Sequence, residues 1–134
     1  MALRFHHLGL AVRDFAKASR FYANLGYRGG APVVDPLQKV ELLLLEAPGQ
    51  PSVELIRPLG PDSPVARMLE KSSENLYHTC YQTDDLPAAL AQIFAGVRYL
   101  RASEPKPAVL FGGQPVSFYY AAGVGLVEIL ETRA

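Results

Sequence analysis

A repeated spacing constrains this chain more than any other feature. His7 precedes Asp14 by seven positions and His78 precedes Asp85 by seven; each histidine lies on a strand-like stretch, and each aspartate opens a helix-like one. A glutamate inside an apolar run follows in both halves, Glu54 coming 47 positions after His7 and Glu128 50 positions after His78, a difference that loops absorb. Each half therefore reads strand, helix, then strands, with histidine on its first strand and glutamate inside its last. Such an echo is the mark of a duplicated supersecondary unit in which each copy supplies equivalent chemistry.

Taken in order, residues 4 to 12 alternate, with His6, Leu8, Leu10 and Val12 on one face and His7, Gly9 and Ala11 on the other. The first face is expected to meet the core. The second carries small residues, and the expectation is open space above the sheet where a ligand approaches His7. Asp14 predicts an N-cap, and Phe15, Ala18, Phe21, Tyr22 and Leu25 recur at helical spacing until Gly26 stops them. Gly29, Gly30, Pro32 and Pro36 predict a loop. Gln38 to Glu46 then reads as a strand buried on both faces, paired across Pro48-Gly49-Gln50-Pro51 with a strand from Ser52 to Arg57. For that strand alone, Val53 and Leu55 facing the core and Glu54 facing water is the expected arrangement.

Pro58 to Pro64 breaks the pattern, and Ser63 is a plausible cap for a short helix carrying Pro64, Val65, Met68 and Leu69. After the polar stretch Lys71 to Asn75, Leu76 to Thr83 reads as a strand with His78, Cys80 and Gln82 on one face. Asp84 or Asp85 caps a helix holding Leu86, Leu90, Ile93 and Phe94, which Gly96 ends. Pro115 to Ala121 and Leu126 to Leu130 are the remaining strands, separated by a turn at Gly123-Val124-Gly125. One domain over residues 1–134 follows, with a first module at about 4–58, a linker helix at about 62–71 and a second module at about 76–131.

Composition narrows the function. With 134 residues, 49% of them hydrophobic, the chain is long enough for one compact core. Lysine plus arginine balance aspartate plus glutamate at 13 each, with no run of like charge, so nothing points to nucleic acid or to an anionic membrane. No basic segment leads into an apolar run long enough to span a bilayer, and a cytoplasmic protein is expected. The single cysteine, Cys80, excludes an internal disulfide and a cysteine-based zinc site, and reads as a small buried residue.

Either histidine alone reads as a satisfied imidazole without a ligand role. Set beside the two strand glutamates, His7, Glu54, His78 and Glu128 read as a metal set of two neutral imidazoles and two carboxylates, with positions left for water or substrate. Zinc, cobalt, nickel, manganese and ferrous iron all accept such donors, so one divalent metal ion is expected without a choice among them.

The same residues carry a family resemblance over nearly the whole chain. His7-Leu8-Gly9-Leu10-Ala11-Val12, Phe21-Tyr22 with Leu25-Gly26, Glu54-Leu55-Ile56-Arg57-Pro58-Leu59-Gly60, Asp62-Ser63-Pro64-Val65, Tyr77-His78, Asp84-Asp85-Leu86 and Gly125-Leu126-Val127-Glu128 occur in that order. The chain resembles the vicinal oxygen chelate superfamily, the glyoxalase, bleomycin-resistance and dioxygenase group, and within it the methylmalonyl-CoA epimerases. The resemblance implies an α+β fold in which paired βαβββ modules form a concave mixed sheet around a central site. It also implies metal ligands at His7, Glu54, His78 and Glu128, a small-molecule substrate such as an acyl-CoA, and a homodimer.

Two departures stand out. Epimerases usually carry glutamine at the position matched by Glu54, where a glutamate favours a cation but opposes an anionic substrate or enolate. The second concerns a base. Epimerases resembling this chain carry Pro-Glu-Gln-Gly before the second strand, and its glutamate is one of two proposed bases. Here the stretch is Pro36-Leu37-Gln38-Lys39, and Leu37 cannot titrate. Asp35, Glu41 and Glu46 lie nearby and are expected at the surface, as are Arg57, Arg98, Arg101 and Lys106. The leading expectation is an enzyme that stabilises the enolate of a small carbonyl compound or acyl thioester, with Glu128, or a residue from the 35 to 46 region, as the catalytic proton carrier. A glyoxalase I-like isomerase or an iron dioxygenase is a second enzymatic expectation. A non-enzymatic binding or resistance protein, its pocket lined by Phe111, Phe118, Tyr119 and Tyr120, is the third, with core packing expected for most of those rings.

Overall fold

The computed structural model describes residues 3–71 and 74–132. Ser72 and Ser73, inside the polar stretch expected between the halves, lie outside the described residues. The fold is a mixed α+β one, and the chain divides into two compact units, His7–Tyr77 and residues 3–6 with 78–132.

In the first unit the strand β1 (Arg4–Val12), most of which belongs here, leads into α1 (Phe15–Asn24). Four strands follow: β2 (Arg28–Gly29), β3 (Val33–Asp35), β4 (Val40–Glu46) and β5 (Ser52–Pro58). Their order is β2-β4-β5-β1, with β3 also paired to β4. β5 runs parallel to β1, and β4 is antiparallel to β5. Asp14 caps α1, its Oδ1 accepting from the Lys17 amide at 3.1 Å, and Gly26 leaves the helix at φ +92. Val53 and Leu55 of β5 join Val12, Phe15, Tyr27, Leu43, Leu45 and Ala47 in the core beneath α1. Burying a side chain such as Leu55 contributes roughly 1.5–3 kcal/mol.

The short helix α2 (Pro64–Leu69) packs against β5. Ser63 Oγ accepts from the Val65 amide at 3.3 Å, as its position before Pro64 predicts. Arg13 donates to the carbonyl of Leu69 at the end of this helix, where a cation is favoured.

The second unit repeats this order, with a 3-10 turn added before its last two strands. β6 (Glu74–Thr83) leads into α3 (Leu86–Ile93), then β7 (Tyr99–Arg101), β8 (Lys106–Pro107), β9 (Pro115–Ala121) and β10 (Gly125–Glu131). The order β6-β10-β9-β7, with β8 also on β9, mirrors the first unit. β10 is parallel to β6 and antiparallel to β9. Asp85 caps α3 as Asp14 caps α1, its Oδ1 accepting from the Ala88 amide at 3.1 Å. Phe94, Tyr119, Ala121, Val127 and Ile129 form the core on the helix side.

The short strands β2 and β3 lie where glycine and proline predict a loop, and β7 and β8 lie where no strand is expected. Two or three residues give no period to read, and pairing with β4 or β9 is what makes them strands. Gly29 shows the constraint: a Cβ there would stand 2.6 Å from Leu45 Cδ2 and 3.0 Å from the Leu44 carbonyl oxygen.

Candidate functional site

Register places the histidine and glutamate of each unit together. In the first, the parallel pairing sets Glu54 opposite Gly9. His7, two residues before Gly9, therefore shares its face, and His7 Nε2 lies 3.7 Å from Glu54 Oε1. In the second, Glu128 is opposite Cys80, two residues after His78, and His78 Nε2 lies 3.1 Å from Glu128 Oε1. All four are buried, with exposures of 0% for His7, 4% for Glu54 and 3% each for His78 and Glu128. A buried carboxylate without compensation is costly, and in each unit an imidazole nitrogen stands beside it.

Two expectations change here. Glu54 faces inward, because Val53 and Leu55 occupy the helix-side core and the opposite face of β5 is covered as well. The His7, Gly9 and Ala11 face is closed rather than open, with Ala11 at 0% exposure. Small side chains permit neighbouring atoms to approach closely, so their presence does not by itself leave a void.

The region from 35 to 46 is engaged in structure. Asp35 is 1% exposed, which corrects the expectation of a surface position. Its Oδ1 accepts from the amides of Leu37 at 3.0 Å and Gln38 at 3.2 Å, and its Oδ2 from Gln38 Nε2 at 2.9 Å. Asp35 thus organises the β3–β4 turn, in which Lys39 takes a left-handed φ of 58. Lys39 holds that turn to the linker: its carbonyl accepts from the Leu59 amide at 3.1 Å and its Nζ donates to Asp62 Oδ2 at 2.8 Å. This contact holds the Asp62 carboxyl below its ordinary pKa. Leu37 is 54% exposed.

Glu41 pairs with Arg57, its register partner, whose Nε donates at 3.1 Å. The Arg57 guanidinium also lies 4.5 Å over the Phe15 ring, so Arg57 is a packed, half-buried group and not a solvated one. Glu46 is exposed, as expected. Arg98, Arg101 and Lys106 are at least partly exposed, and Arg101 pairs with Glu104 at 2.6 Å. A cleft of about 290 Å³ in the first unit is lined by Arg13, Arg57, Pro58, Ala66 and Leu69. In the α1 core, burial raises the Tyr22 phenol above its ordinary pKa, with a further contribution from Tyr27.

The aromatic residues of the second unit separate into different roles. Tyr119 is 1% exposed and its hydroxyl lies 2.9 Å from Ser117 Oγ. Tyr120 is exposed, while Phe111 and Phe118 are half-buried. Phe118 is the register partner of Glu128, and its ring meets that of His78 edge-on at 5.5 Å. Sequence reasoning named Phe118 without connecting it to Glu128. The strand pattern of Pro115 to Ala121 contained its parity, but not its register.

Two separate units with one topology, each presenting a buried histidine–glutamate pair from its first and last strands, match the pattern of a known family. The chain belongs to the Glyoxalase/Bleomycin resistance protein/Dioxygenase superfamily, whose family model matches residues 6–118. It is 37% identical over 120 residues to an ethylmalonyl-CoA/methylmalonyl-CoA epimerase of Cereibacter sphaeroides, covering 87% of each chain. It is 32% identical to the mitochondrial methylmalonyl-CoA epimerase of Homo sapiens, over 94% of this chain and 72% of that one. Among solved structures, a Streptomyces coelicolor methylmalonyl-CoA epimerase variant in complex with 2-nitronate-propionyl-CoA aligns over the whole of both chains with a TM-score of 0.75 at 27% identity. Among the described residues no helix is long and apolar enough to cross a membrane.

Proposed function

We propose that this chain is a divalent-metal-dependent enzyme that removes the α-proton of a small acyl-CoA thioester and stabilises the resulting enolate, as in methylmalonyl-CoA epimerisation. The observation that carries the reading is the identical register by which each unit sets a buried histidine beside a buried glutamate. Two imidazole nitrogens and two carboxylates are the donor set of a borderline divalent cation, and burial of all four suits ligands more than solvated ion pairs. In this reading His7, Glu54, His78 and Glu128 hold one cobalt, nickel, zinc, manganese or iron ion within a single domain. When bound, such an ion supplies Lewis-acid stabilisation of negative charge at the thioester oxygen. The similarity to ethylmalonyl-CoA/methylmalonyl-CoA epimerase over most of both chains supports the substrate class.

Proton transfer falls to Glu128. Its carboxylate takes the α-proton as the C–H bond breaks and the electron pair passes into the enolate. The carboxyl hydrogen exchanges with solvent, and a proton then returns to the same carbon, with inversion when it reaches the opposite face of the planar enolate. Asp35 and Glu41 are committed to the turn and to Arg57, and Leu37 has no proton to give. The working form is taken to be a cytoplasmic homodimer.

The test is solvent exchange. Protein loaded with each candidate metal is incubated in deuterated buffer with methylmalonyl-CoA and related thioesters, and deuterium at the α-carbon is measured by mass spectrometry. Incorporation of one deuteron is expected. Its absence with every thioester and every metal removes the reading.

A further inference from the structure

The sheet face that carries His78 and Glu128 continues into an apolar cluster within the same unit. Cys80, Ala108, Val116 and Leu130 are buried there, with exposures of 0%, 5%, 1% and 1%, and Phe111 and Phe118 pack against them. Phe118 stands opposite Glu128 on β9, and one step along the same face Val116 stands opposite Leu130. Phe111 closes a 3-10 turn, Val109–Phe111, and is followed by Gly112 at φ 66, where a side chain is disfavoured. Its ring meets His6 edge-on at 4.9 Å. Both phenylalanines are thus held from behind by buried apolar groups while remaining partly exposed, Phe118 beside the His78–Glu128 pair and Phe111 beside His6.

Half-exposed rings next to buried polar groups are suited to an apolar group carried by a ligand whose polar end is bound nearby. The first unit has no such feature at the matching positions: Leu44 stands opposite Glu54 where Phe118 stands opposite Glu128, and Gly9 replaces Cys80. The aromatic wall therefore distinguishes one pair from the other. The buried side chains behind it leave little depth for a long chain.

We infer that Phe118, backed by the buried cluster of Cys80, Val116 and Leu130, receives the α-alkyl substituent of the thioester and limits its length, which makes Phe118 a specificity-determining residue. This rests on the acyl-thioester reading above. The probes are methyl-, ethyl- and n-butylmalonyl-CoA, measured with wild-type protein, Phe118→Ala and Phe118→Leu. Both kcat/KM for α-proton exchange and Kd by calorimetry are recorded, with thermal melts to confirm folding. Wild-type protein disfavours the butyl compound, and Phe118→Ala raises its kcat/KM relative to the methyl compound by about 10-fold or more, with Kd moving in the same direction. Phe118→Leu gives a smaller shift and decides the matter if Phe118→Ala does not fold. An unchanged butyl-to-methyl ratio in a folded variant overturns the inference. If wild-type protein exchanges no α-proton, the enzymatic reading fails on its own, and the Kd series still decides whether Phe118 sets chain length.

Discussion

The units His7–Tyr77 and 78–132 share a strand order, a helix cap, a pair of short outer strands and a histidine–glutamate register, yet their side chains diverge at matching places. Gly9 and Leu44 neighbour Glu54, whereas Cys80 and Phe118 neighbour Glu128. Hydrogen-bond ladders conserve the backbone frame because a slip of one residue would turn every side chain to the other face. Side chains on that frame are free to specialise. In the proposed reading, one unit would supply mainly ligation while the other would also shape substrate and move a proton.

The largest effect should come from separating those roles. Glu128→Gln is expected to lower kcat/KM for α-proton exchange by about 10²- to 10⁴-fold even at saturating metal. Glu54→Gln should recover more of its activity as metal is raised. Equal, unrecoverable losses in exchange assays of both variants would show that the two glutamates have the same role. Metal binding itself comes next. A divalent cation at 100 times its Kd should stabilise the protein by about 2.7 kcal/mol, read from melting curves with and without chelator. His7→Ala and His78→Ala should each abolish that gain, and a gain that survives in either would confine the metal to one unit.

Smaller effects test the frame. Gly29→Ala should cost about 1–3 kcal/mol in urea unfolding because the added carbon meets Leu45 and the Leu44 carbonyl. Leu100→Ala, on the matching short strand and 70% exposed, should cost less than about 0.5 kcal/mol. Asp14→Ala and Asp85→Ala should each cost about 1 kcal/mol if the two caps are equivalent, and unequal costs would show that the repeat is not energetically even.

The smallest effect is the pH response of the Lys39–Asp62 contact. A carboxyl whose folded pKa is lowered adds stability above its unfolded pKa, and that stability is lost as pH falls through the lowered folded value. The contribution should therefore disappear in acid and be absent throughout in Lys39→Ala. In an NMR titration of that variant, Asp62 should move up towards its ordinary value.

Much of the site was legible because its signals are local. The equal spacing from histidine to aspartate foretold two capped helices, and strand parity put His78, Cys80 and Gln82 on one face. Glu54 shows the limit of such reasoning. Alternation along Val53-Glu54-Leu55-Ile56 says which residues share a face but not that both faces are covered. Asp35 is a second case, since its burial depends on a turn whose partners include the side chain of Gln38.

The sequence by itself determined the duplication, the capped helices, the long strands and the four residues that stand as two pairs, because spacing, capping and alternation are properties of neighbouring residues. Only tertiary structure decided which short segments became strands, that the face of His7 is closed, and that Phe118 stands opposite Glu128. Those outcomes depend on pairing and packing between segments far apart in the chain, where hydrogen-bond register and close contact set the arrangement that local pattern leaves open.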